Sequence, residues 1–523
     1  MRWKIILAAL LACAAPAEAR ELRPASLPPE MVYHIFVRSF ADSNGDRQGD
    51  LAGIRQRLGY LQRLGVTTIM LTPLYPSQFY HNYFADDFAG IDPEFGTKQD
   101  FAALVRAVHG RGMKIILDEE IQYVSDRHLW RTSSAGQPES PYSRFLLYRD
   151  AQNRVPVPTL LGTNAFTVWP GQQRQVFTVN LAEPKVQAWF AHYLADWADP
   201  DHDGDLSDGV DGFRIDHMMD DLDNAGVLKD LLAGFWAPII TRLHAVNPKL
   251  RFIAEQADWG DGADFFSKGR VDLVFAFPIW SAAGKLDATG FAAAITRSNV
   301  VIPPGRSQLV FTENHDTPRF AHGAARRAEI LRLGAAITML TGWVPSLYYG
   351  QEIGMSGTQT DDYAAKGDQP ANADARDIPL RQAFRWVPDP MAAGNAAWYR
   401  AFPEAYHTPD SNVPGDGASV AEQDGKPGSL LSTYGTLAVL RARWPALARG
   451  ATRVVAQQGN LVLIERHAGA SKALVLFNFS GETERANMPL PRSAVRRYGA
   501  AHSGGGTSLV APPYSATVWT TAP

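Results

Sequence analysis

Cysteine is almost absent from this chain of 523 residues, and the single one, Cys13, lies near the N-terminus. A chain with one cysteine forms no internal disulfide, and no Cys/His spacing typical of a zinc site occurs in it. Neither sign of charge predominates, because 50 Lys and Arg residues nearly balance 54 Asp and Glu residues, which gives a formal net charge of −4. This balance argues against nucleic acid or a membrane surface as a partner.

Long apolar runs are missing as well, since no stretch approaches the roughly 20 residues of a membrane-spanning helix. The N-terminus instead has a basic start, a short apolar stretch from Ile5 to Ala12 and small residues up to Ala19. This pattern predicts a signal peptide over residues 1–19 and an exported protein, periplasmic or extracellular. The alternative is a lipoprotein signal, in which Cys13 of "LLAC" carries a lipid anchor that holds the protein at a membrane.

What the chain does contain is a regular alternation of strand and helix patterns. Several of the strand candidates are separated by helical patterns, such as 51–65 and 101–112, which place apolar residues three and four apart and end at glycine. Eight alternating units predict an α/β fold, a parallel (β/α)8 TIM barrel. The eight predicted strands are 32–38, 67–73, 114–119, 212–216, 251–255, 272–277, 308–313 and 345–349.

The spacing of these strands predicts three domains after the signal. Between the third and fourth strands lies an insert of some ninety residues, rich in Ser, Pro, Gly and Tyr. Near the C-terminus, short apolar runs separated by turn residues predict an antiparallel β-sandwich. The predicted domains are the barrel over 27–118 and 211–447, the small inserted domain over 119–210, and the C-terminal sandwich over 448–523.

Charged residues follow four of the buried strands. They stand in "IILDEE" at Asp118, "GFRID" at Arg214 and Asp216, "FIAEQ" at Glu255, and "FTENHD" at His315 and Asp316. Carboxylates at the ends of apolar strands are costly to desolvate unless they have partners or a function there. In a parallel barrel all these ends lie on one rim, which is where such barrels place their active sites.

These segments resemble the conserved regions of the α-amylase family, the retaining glycoside hydrolases and transglycosylases built on a (β/α)8 barrel. Further matching segments are "YHIFVRSFADSNGDRQGDL", "LGVTTIMLTPLYPS", "IDPEFGT" and "PSLYYGQE", in the family's order. The resemblance implies that Asp216 is the nucleophile, Glu255 the acid and base, and Asp316 the third carboxylate that binds sugar hydroxyls. It also implies that the inserted domain forms one wall of the substrate cleft.

The resemblance further implies a set of substrate-binding residues. Arg214 stands two residues before Asp216 on one strand, points to the same side and keeps that carboxylate ionised. His315 is expected to donate a hydrogen bond to the same sugar, and Tyr83 to stack on the sugar at the cleavage point. Phe84 stands where family members that trim single glucose units usually carry an aspartate, so a stacking residue there favours cutting within chains.

Two segments depart from the family pattern. Asp118 is followed by Gln122 and Tyr123 rather than by Asn-His, so the hydroxyl of Tyr123 is expected to replace the histidine's sugar contact, or that contact is lost. The asparagine often binds calcium, which puts that particular metal site in doubt. After Asp216, Met219 and Asp220 replace Lys-His, so specificity on the acceptor side is expected to differ, with Asp220 either touching sugar or forming a structural ion pair.

Two acidic segments predict structural calcium. "DSNGDRQGD" places oxygen ligands at alternating positions, as at the start of an EF-hand loop, and related enzymes hold calcium in the same loop. A second, less regular cluster stands just before the fourth strand. The residues of the first predicted site are Asp42, Asn44, Asp46, Gln48 and Asp50, and those of the weaker second site are Asp199, Asp201, Asp203, Asp205 and Asp208.

The sequence therefore predicts an exported hydrolase that cleaves α-1,4-glucosidic bonds in starch-like glucans or maltooligosaccharides with retention of configuration. An α-glucosidase, a cyclodextrin- or pullulan-degrading enzyme, or a transglycosylase of the same family would use the same residues. A sugar-binding protein that has lost catalysis is disfavoured, because the three carboxylates occur together with their arginine and histidine.

Overall fold

A computed structural model describes residues 30–159, 162–169, 171–360, 374–400, 410–503 and 508–521. The predicted signal peptide and Cys13 lie outside the described residues, so export stays a prediction. No helix within the described ranges is long and apolar enough to cross a bilayer.

Eight parallel strands close into a barrel, in the order β1-β2-β3-β7-β8-β9-β10-β11, and β11 pairs with β1. Each strand lies where the sequence predicted one, within a few residues. The barrel strands are β1 (Val32–Ile35), β2 (Thr68–Leu71), β3 (Lys114–Glu119), β7 (Gly212–Met218), β8 (Arg251–Gln256), β9 (Leu273–Phe275), β10 (Ser307–Val310) and β11 (Val344–Tyr348). Apolar side chains from these strands form the barrel core, as strands covered on both faces require.

Helices surround the barrel. Two of them show why they start where they do: Asp50 caps α2 by accepting the N–H of Gly53, and Thr97 and Asp100 form a capping box at α3. A π-helix, Leu232–Trp236, precedes α6. The α-helices are α1 (Val37–Phe40), α2 (Leu51–Leu64), α3 (Lys98–His109), α4 (Leu129–Ser134), α5 (Pro184–Ala198), α6 (Ala237–Val246), α7 (Ala263–Ser267), α8 (Phe277–Gly284), α9 (Ala288–Val301), α10 (Phe320–Gly323), α11 (Ala328–Leu340), α12 (Val420–Gln423), α13 (Leu430–Arg443) and α14 (Pro445–Arg449).

The insert after β3 carries a small antiparallel sheet, in the order β4-β6-β5. Its strands are β4 (Tyr123–Ser125), β5 (Ala165–Val168) and β6 (Gln172–Thr178). Because β4 begins four residues after β3 ends, the insert rises directly from the barrel rim. It therefore stands beside the ends of β3 and β7, where the predicted catalytic side chains lie.

Two antiparallel sheets form the C-terminal part, in the orders β12-β13-β14-β19-β16 and β15-β18-β17. Apolar residues such as Leu463, Leu476, Leu509 and Trp519 pack between them, which makes this part a sandwich. The strands are β12 (Ala451–Gln458), β13 (Leu461–Ala468), β14 (Ser471–Asn478), β15 (Glu484–Asn487), β16 (Val495–Tyr498), β17 (His502–Ser503), β18 (Ser508–Ala511) and β19 (Ser515–Thr521).

A buried arginine joins the sandwich to the barrel. Arg466, on β13, donates hydrogen bonds to the carbonyl oxygen of Leu340 at 3.1 Å and to that of Gly450 at 2.9 Å. Leu340 is the last residue of α11, where helical carbonyls have no partner within the helix. The hydroxyl of Thr452 donates to the next carbonyl, that of Thr341, at 2.9 Å. The sandwich thus satisfies the C-terminal end of a barrel helix.

Candidate active site

Arg214 is the centre of a group of carboxylates at the ends of β3, β7 and β8. Its Nη1 donates to Oδ1 of Asp118 at 2.7 Å and also to Oδ1 of Asp216, and its Nη2 lies 2.9 Å from Oε2 of Glu255. The guanidinium is fully buried, so its charge is poorly screened by solvent. A single cation therefore holds Asp216 close to Glu255. These are the predicted nucleophile and the predicted acid of the same glycosidic bond cleavage.

Glu255 is poised to carry a proton near neutrality. Burial is the main cause that raises the pKa of Glu255, Arg214 opposes it, and the charges of Asp216 and Asp316 raise it further, to about 7. Its Oε2 also accepts the backbone N–H of His217 at 3.1 Å. A carboxyl with a pKa close to the working pH exchanges protons readily in both directions, which is what a general acid that later acts as a base requires.

Two neighbouring side chains, His315 and Arg381, hold Asp316 in its ionised form. His315 Nε2 lies 2.9 Å from its Oδ2, and Nη2 of Arg381 donates to its Oδ1 at 2.8 Å. Burial alone would raise the pKa of Asp316, but His315, Arg381 and Arg214 together hold that pKa below its ordinary value. Arg381 also donates from Nε to the carbonyl oxygen of His315, so it fixes both residues of the predicted pair.

Tyr83 forms the floor of the site beside this pair. Its hydroxyl donates to Oδ2 of Asp118 at 2.6 Å and lies 2.7 Å from Nε2 of His315. The rings of Tyr83 and His315 are nearly parallel, with centroids 5.3 Å apart. Both predicted sugar-contacting residues thus belong to the same rigid cluster as the carboxylates, although Tyr83 comes from the loop after β2.

Phe84 and Tyr123 lie on the wall formed by the insert. The ring of Phe84 meets those of Phe79, Tyr123 and Phe166 at centroid distances of 4.8, 6.0 and 5.8 Å. The hydroxyl of Tyr123 donates to Asp223, so it is already engaged and presents an aromatic ring to the cavity. Phe84 is partly exposed in this cluster and offers an apolar surface with no charge.

The residues that depart from the family pattern take structural roles. Gln122 donates from Nε2 to the backbone oxygens of Asp216 and His217, at 2.7 and 3.0 Å, and so ties the insert to the end of β7. Asp220 accepts hydrogen bonds from the backbone N–H of Leu232 and from Lys268. Its carboxylate forms the ion pair that the sequence left as one of two alternatives.

His217 is a cavity residue that the sequence reading did not single out. The pairing of β7 with β8 shifts between Ile215 and Met218, and His217 has φ +45, in the left-handed region that favours glycine. A bulge of this kind redirects side chains at the end of a strand. Its Nε2 lies 3.5 Å from Oδ1 of Asp223. Burial opposes protonation, but the nearby carboxylate of Asp223 and the charge of Asp216 raise the pKa of His217 above its ordinary value.

Other cavity residues were also not predicted from the sequence, and three of them bear on the chemistry. Glu120 follows β3 and borders the cavity together with Asp216. Trp259 is 42% exposed and stacks on Phe277, with centroids 5.1 Å apart and planes 4° apart. Arg381 comes from an irregular segment after β11. The signal for Glu120 was present in "DEE", where side-chain alternation puts it on the same side as Asp118.

The cavity bounded by these residues has a volume of about 360 Å³. Its walls include the three carboxylates, Asp216, Glu255 and Asp316, together with Tyr83, Phe84 and Trp259. A cavity of this size, lined by aromatic rings with a few convergent polar groups, suits a small sugar unit rather than an extended protein surface. The other predicted substrate residues, Tyr123 and His315, line the same space.

In the first predicted metal loop, the acidic side chains accept hydrogen bonds from backbone N–H groups of the same loop. Asp42 accepts N–H groups of Asn44, Gly45 and Arg47. Asp46 accepts the N–H of Gln48 at 2.8 Å, and the side-chain oxygen of Gln48 accepts from Arg38. Asp50 caps α2 and also binds Ser43. The loop retains the predicted oxygen donors, and calcium binding there stays a prediction.

The second segment brings three carboxylates together at the surface. Ligand oxygens of Asp199, Asp201 and Asp203 lie within 4.8 Å of one another, the one such group of three or more Asp, Glu, His or Cys among the described residues. Asp205 and Asp208 do not join it, although Asp205 accepts the N–H of Ser207 at 3.0 Å. An all-oxygen set of this kind fits a hard cation such as calcium.

Comparisons with known proteins agree with this geometry. The family model described as the α-amylase catalytic domain matches residues 34–225 and 279–450. Alpha-amylase 3 of Dictyoglomus thermophilum is 27% identical over 488 residues, covering 88% of this chain and 89% of its own length. A protein described as a probable alpha-glucosidase of Rhizobium meliloti is 26% identical over 521 residues, covering 88% of this chain and 91% of its own.

Solved structures show the same fold. The alpha-amylase from H. orenii superposes with a TM-score of 0.75 at 24% identity, covering 95% of this chain and 100% of its own. Together with the family match over both halves of the barrel, the cluster around Arg214 identifies the chemistry. The chain belongs to the α-amylase family of glycoside hydrolases and is an enzyme that acts on α-glucans.

Proposed function

We propose that this protein is an exported hydrolase that cleaves α-1,4-glucosidic bonds in starch-like glucans or maltooligosaccharides with retention of configuration. The observation that carries the proposal is the shared contact of Asp216 and Glu255 with Arg214. It keeps one carboxylate ionised as a nucleophile beside a second, protonated carboxyl. Retaining glycosidases need this pair of states, with the two carboxyl groups about 5–5.5 Å apart.

Each group then has a defined step. Asp216 attacks the anomeric carbon while Glu255 gives its proton to the departing oxygen, so the glycosidic bond breaks as a covalent ester forms. Glu255, now ionised, takes a proton from water, and the water oxygen displaces Asp216 from the same carbon. Asp316 and His315 bind the hydroxyls of the sugar, and Tyr83 supports its ring.

The aromatic wall favours cutting within chains. Phe84 places an uncharged ring at the position where a carboxylate would bind the terminal sugar. The rings of Phe79 and Phe166 pack against it and fix its position. Trp259 adds a second exposed ring to the same cavity. A glucan can stack along such surfaces without its end being recognised.

A chain-end enzyme is the second candidate, and one feature of the cavity favours it. Asp374 and Asp377 lie on the rim, and both border the same cavity as Asp316. Asp374 accepts the backbone N–H of Trp169 at 2.6 Å, and its other, buried oxygen has no hydrogen-bond partner among the residues that the structure describes. A terminal glucose hydroxyl fits such an acceptor, as an α-glucosidase or a transglycosylase would require.

Structural calcium and export complete the proposal. Oxygen donors at Asp199, Asp201 and Asp203 support calcium at the surface, and the spacing of the loop from Asp42 to Asp50 supports a second ion. Calcium would supply stability rather than chemistry, because neither segment contributes a residue to the cavity. The basic start and cleavage pattern of residues 1–19 support export, with lipid attachment at Cys13 as the alternative.

A product study on blocked substrates tests the proposal. Maltoheptaose whose non-reducing end is blocked should be cleaved nearly as fast as the free oligosaccharide, and its first products should carry the α anomer by NMR. Asp216→Asn is the matched control, since it removes the nucleophile with almost no change of volume. Glucose as the sole product and no activity on the blocked substrate would favour the α-glucosidase, and fresh β product would refute retention.

A further inference from the structure

Strand pairing at the site puts a second acid beside the nucleophile. β3 and β7 are parallel neighbours in which Asp118 lies opposite Arg214. Two residues further along the chain stand Asp216, still on β7, and Glu120, just past the end of β3, and both line the cavity. The first pair is an ion pair, but the second brings together two carboxyl groups that border the same cavity, one of them fully buried. Two carboxyl groups in contact form a hydrogen bond only when one of them holds a proton.

The surroundings decide which of the two is protonated. Asp216 accepts from the guanidinium of Arg214, which favours its charged form. Glu120 is 1% exposed, and its side chain accepts the backbone N–H of Gln122. Within the described part of the chain, no ion pair joins Glu120 to a lysine, arginine or histidine. A buried carboxyl without a cation is the one that stays neutral.

We propose that Glu120 holds a proton in the working enzyme and donates a hydrogen bond to Asp216, so that the two carboxyl groups share one negative charge. The assignment rests on the proposed function of Asp216 as the nucleophile. Glu120 is a positioning residue, since it acts on the reaction through Asp216. Nothing in the family pattern stated for this segment, Asp followed by Asn-His, requires an acid at this place.

The other ionisable groups around Glu120 agree with this arrangement. Burial first, and then the charge of Asp216, raise the pKa of Glu120 well above its ordinary value, and Asp223 adds to the shift. The hydroxyl of Tyr75 donates to the backbone oxygen of Glu120 at 3.0 Å, and that of Tyr123 is engaged by Asp223. No charge among these groups favours an ionised Glu120.

The proton of Glu120 is not consumed in the reaction. As Asp216 bonds to the anomeric carbon its charge disappears, and the hydrogen bond from Glu120 weakens. When water displaces Asp216, the carboxylate re-forms and the hydrogen bond strengthens. The proton that moves in each step is that of Glu255, so the balance of the two displacements is unchanged. Glu120 therefore favours Asp216 as a leaving group in the second step.

The pH dependence of kcat/KM separates the possible states of Glu120. The acidic limb reports the carboxyl groups that must be ionised in the free enzyme, the nucleophile among them. Glu120→Gln keeps a neutral donor, so its acidic limb should stay where that of the wild type lies. Glu120→Met keeps the length but cannot donate, so its limb should move up by about one pH unit, the effect of losing a hydrogen bond to a charged group.

Opposite shifts would overturn the proposal. If Glu120 were ionised, both substitutions would remove a negative charge beside Asp216, and both acidic limbs would move down. If neither limb moved, the two residues would be uncoupled. Glu119→Gln is the control, because Glu119 is the buried carboxyl just before Glu120 and accepts the hydroxyl of Tyr193 instead. It should alter thermal stability and leave the acidic limb in place.

Infrared spectroscopy tests the proton without catalysis. The difference spectrum of wild type and Glu120→Gln at neutral pH should contain the C=O stretch of one protonated carboxyl group. Its absence would overturn the proposal even if Glu120→Met failed to fold. If the enzyme cleaved no α-glucan, the proposed function would fail, and this band would still decide whether Glu120 is protonated.

Discussion

Nη2 of Arg381 donates a hydrogen bond of 2.8 Å to Oδ1 of Asp316 across 65 residues of chain. The same guanidinium donates to the hydroxyl of Tyr80 at 2.9 Å and to the backbone of His315. An irregular segment after the last barrel strand thus fixes the third carboxylate. Asp316 owes its low pKa, and so its ability to bind sugar hydroxyls as a pure acceptor, partly to this segment.

Arg381→Met should therefore lower kcat/KM about ten- to a hundredfold, since a hydrogen bond to a charged group is worth about 1.5–3 kcal/mol. The pKa of Asp316 should rise towards its ordinary value, so activity should be lost at a higher pH on the acidic side. Kinetics as a function of pH measure both effects. Tyr80→Phe removes a contact of Arg381 but not that of Asp316, and an equal shift in that variant would contradict the assignment.

Glu255 should set the alkaline limb of the pH profile. The acid is active while protonated, so kcat/KM on starch should fall as pH rises through about 7. Glu255→Gln should abolish this limb and slow starch cleavage by orders of magnitude. An aryl α-maltoside with a good leaving group needs little protonation, so its cleavage should suffer much less. Equal losses on the two substrates would argue against Glu255 as the acid.

Trp259 should bind sugar on the side of the departing chain. Its ring is 42% exposed and is held flat by Phe277, so it is ready to stack. Trp259→Ala should raise KM for maltoheptaose about tenfold, the effect of losing roughly 1.4 kcal/mol of ring burial. The kcat on a short aryl glycoside should change little. Trp259→Phe keeps an aromatic face and should restore most of the affinity; failure to do so would indicate a structural role.

Glu352 should make stability depend on pH. It is fully buried, accepts the hydroxyls of Tyr33 and Tyr60 at 2.6 and 2.8 Å, and burial raises its pKa to about 7 from an ordinary 4.5. Between these values the folded state holds a proton that the unfolded state releases, so stability falls as pH rises. The loss is at most about 3 kcal/mol.

Glu352→Gln keeps an acceptor for both tyrosines and cannot ionise. Its free energy of unfolding, measured in denaturant from pH 4 to 8 (roughly the window that contains both pKa values), should be less dependent on pH than that of the wild type. Identical slopes in the two proteins would show that Glu352 does not titrate in this range.

Calcium should raise the melting temperature without changing the chemistry. A ligand that binds only the folded state stabilises it by about 2.7 kcal/mol at a hundredfold excess over Kd. Asp201→Asn should remove the response if the surface cluster holds the ion, and Asp46→Asn if the loop after β1 does. Asp205→Asn, outside the cluster, is the control. If added calcium does not change the melting temperature of the metal-free wild type, both predicted sites are excluded.

The barrel and the catalytic carboxylates were predictable from sequence because each depends on a local pattern. A short, largely apolar segment followed by Asp or Glu marks a strand end, and the barrel brings those ends together. Arg381 and Trp259 come from irregular loops without such a pattern, so their place in the cavity emerges only from tertiary packing. The role of His217 could not be predicted, because its orientation depends on a bulge in β7. No residue in "GFRIDH" indicates that a bulge forms there.

Arg466 has a consequence for engineering. This side chain belongs to the sandwich but donates to a carbonyl oxygen at the C-terminal end of α11, a helix of the barrel. The barrel therefore depends on the sandwich to satisfy that helix end. Exchanging C-terminal modules between relatives at a junction near residue 450 would leave the donor and its acceptors on chains of different origin. The acceptors are backbone carbonyls that any parent supplies, so chimeras whose C-terminal module carries an arginine at the position of Arg466 should express, and those without a donor there should be cleared by proteolysis.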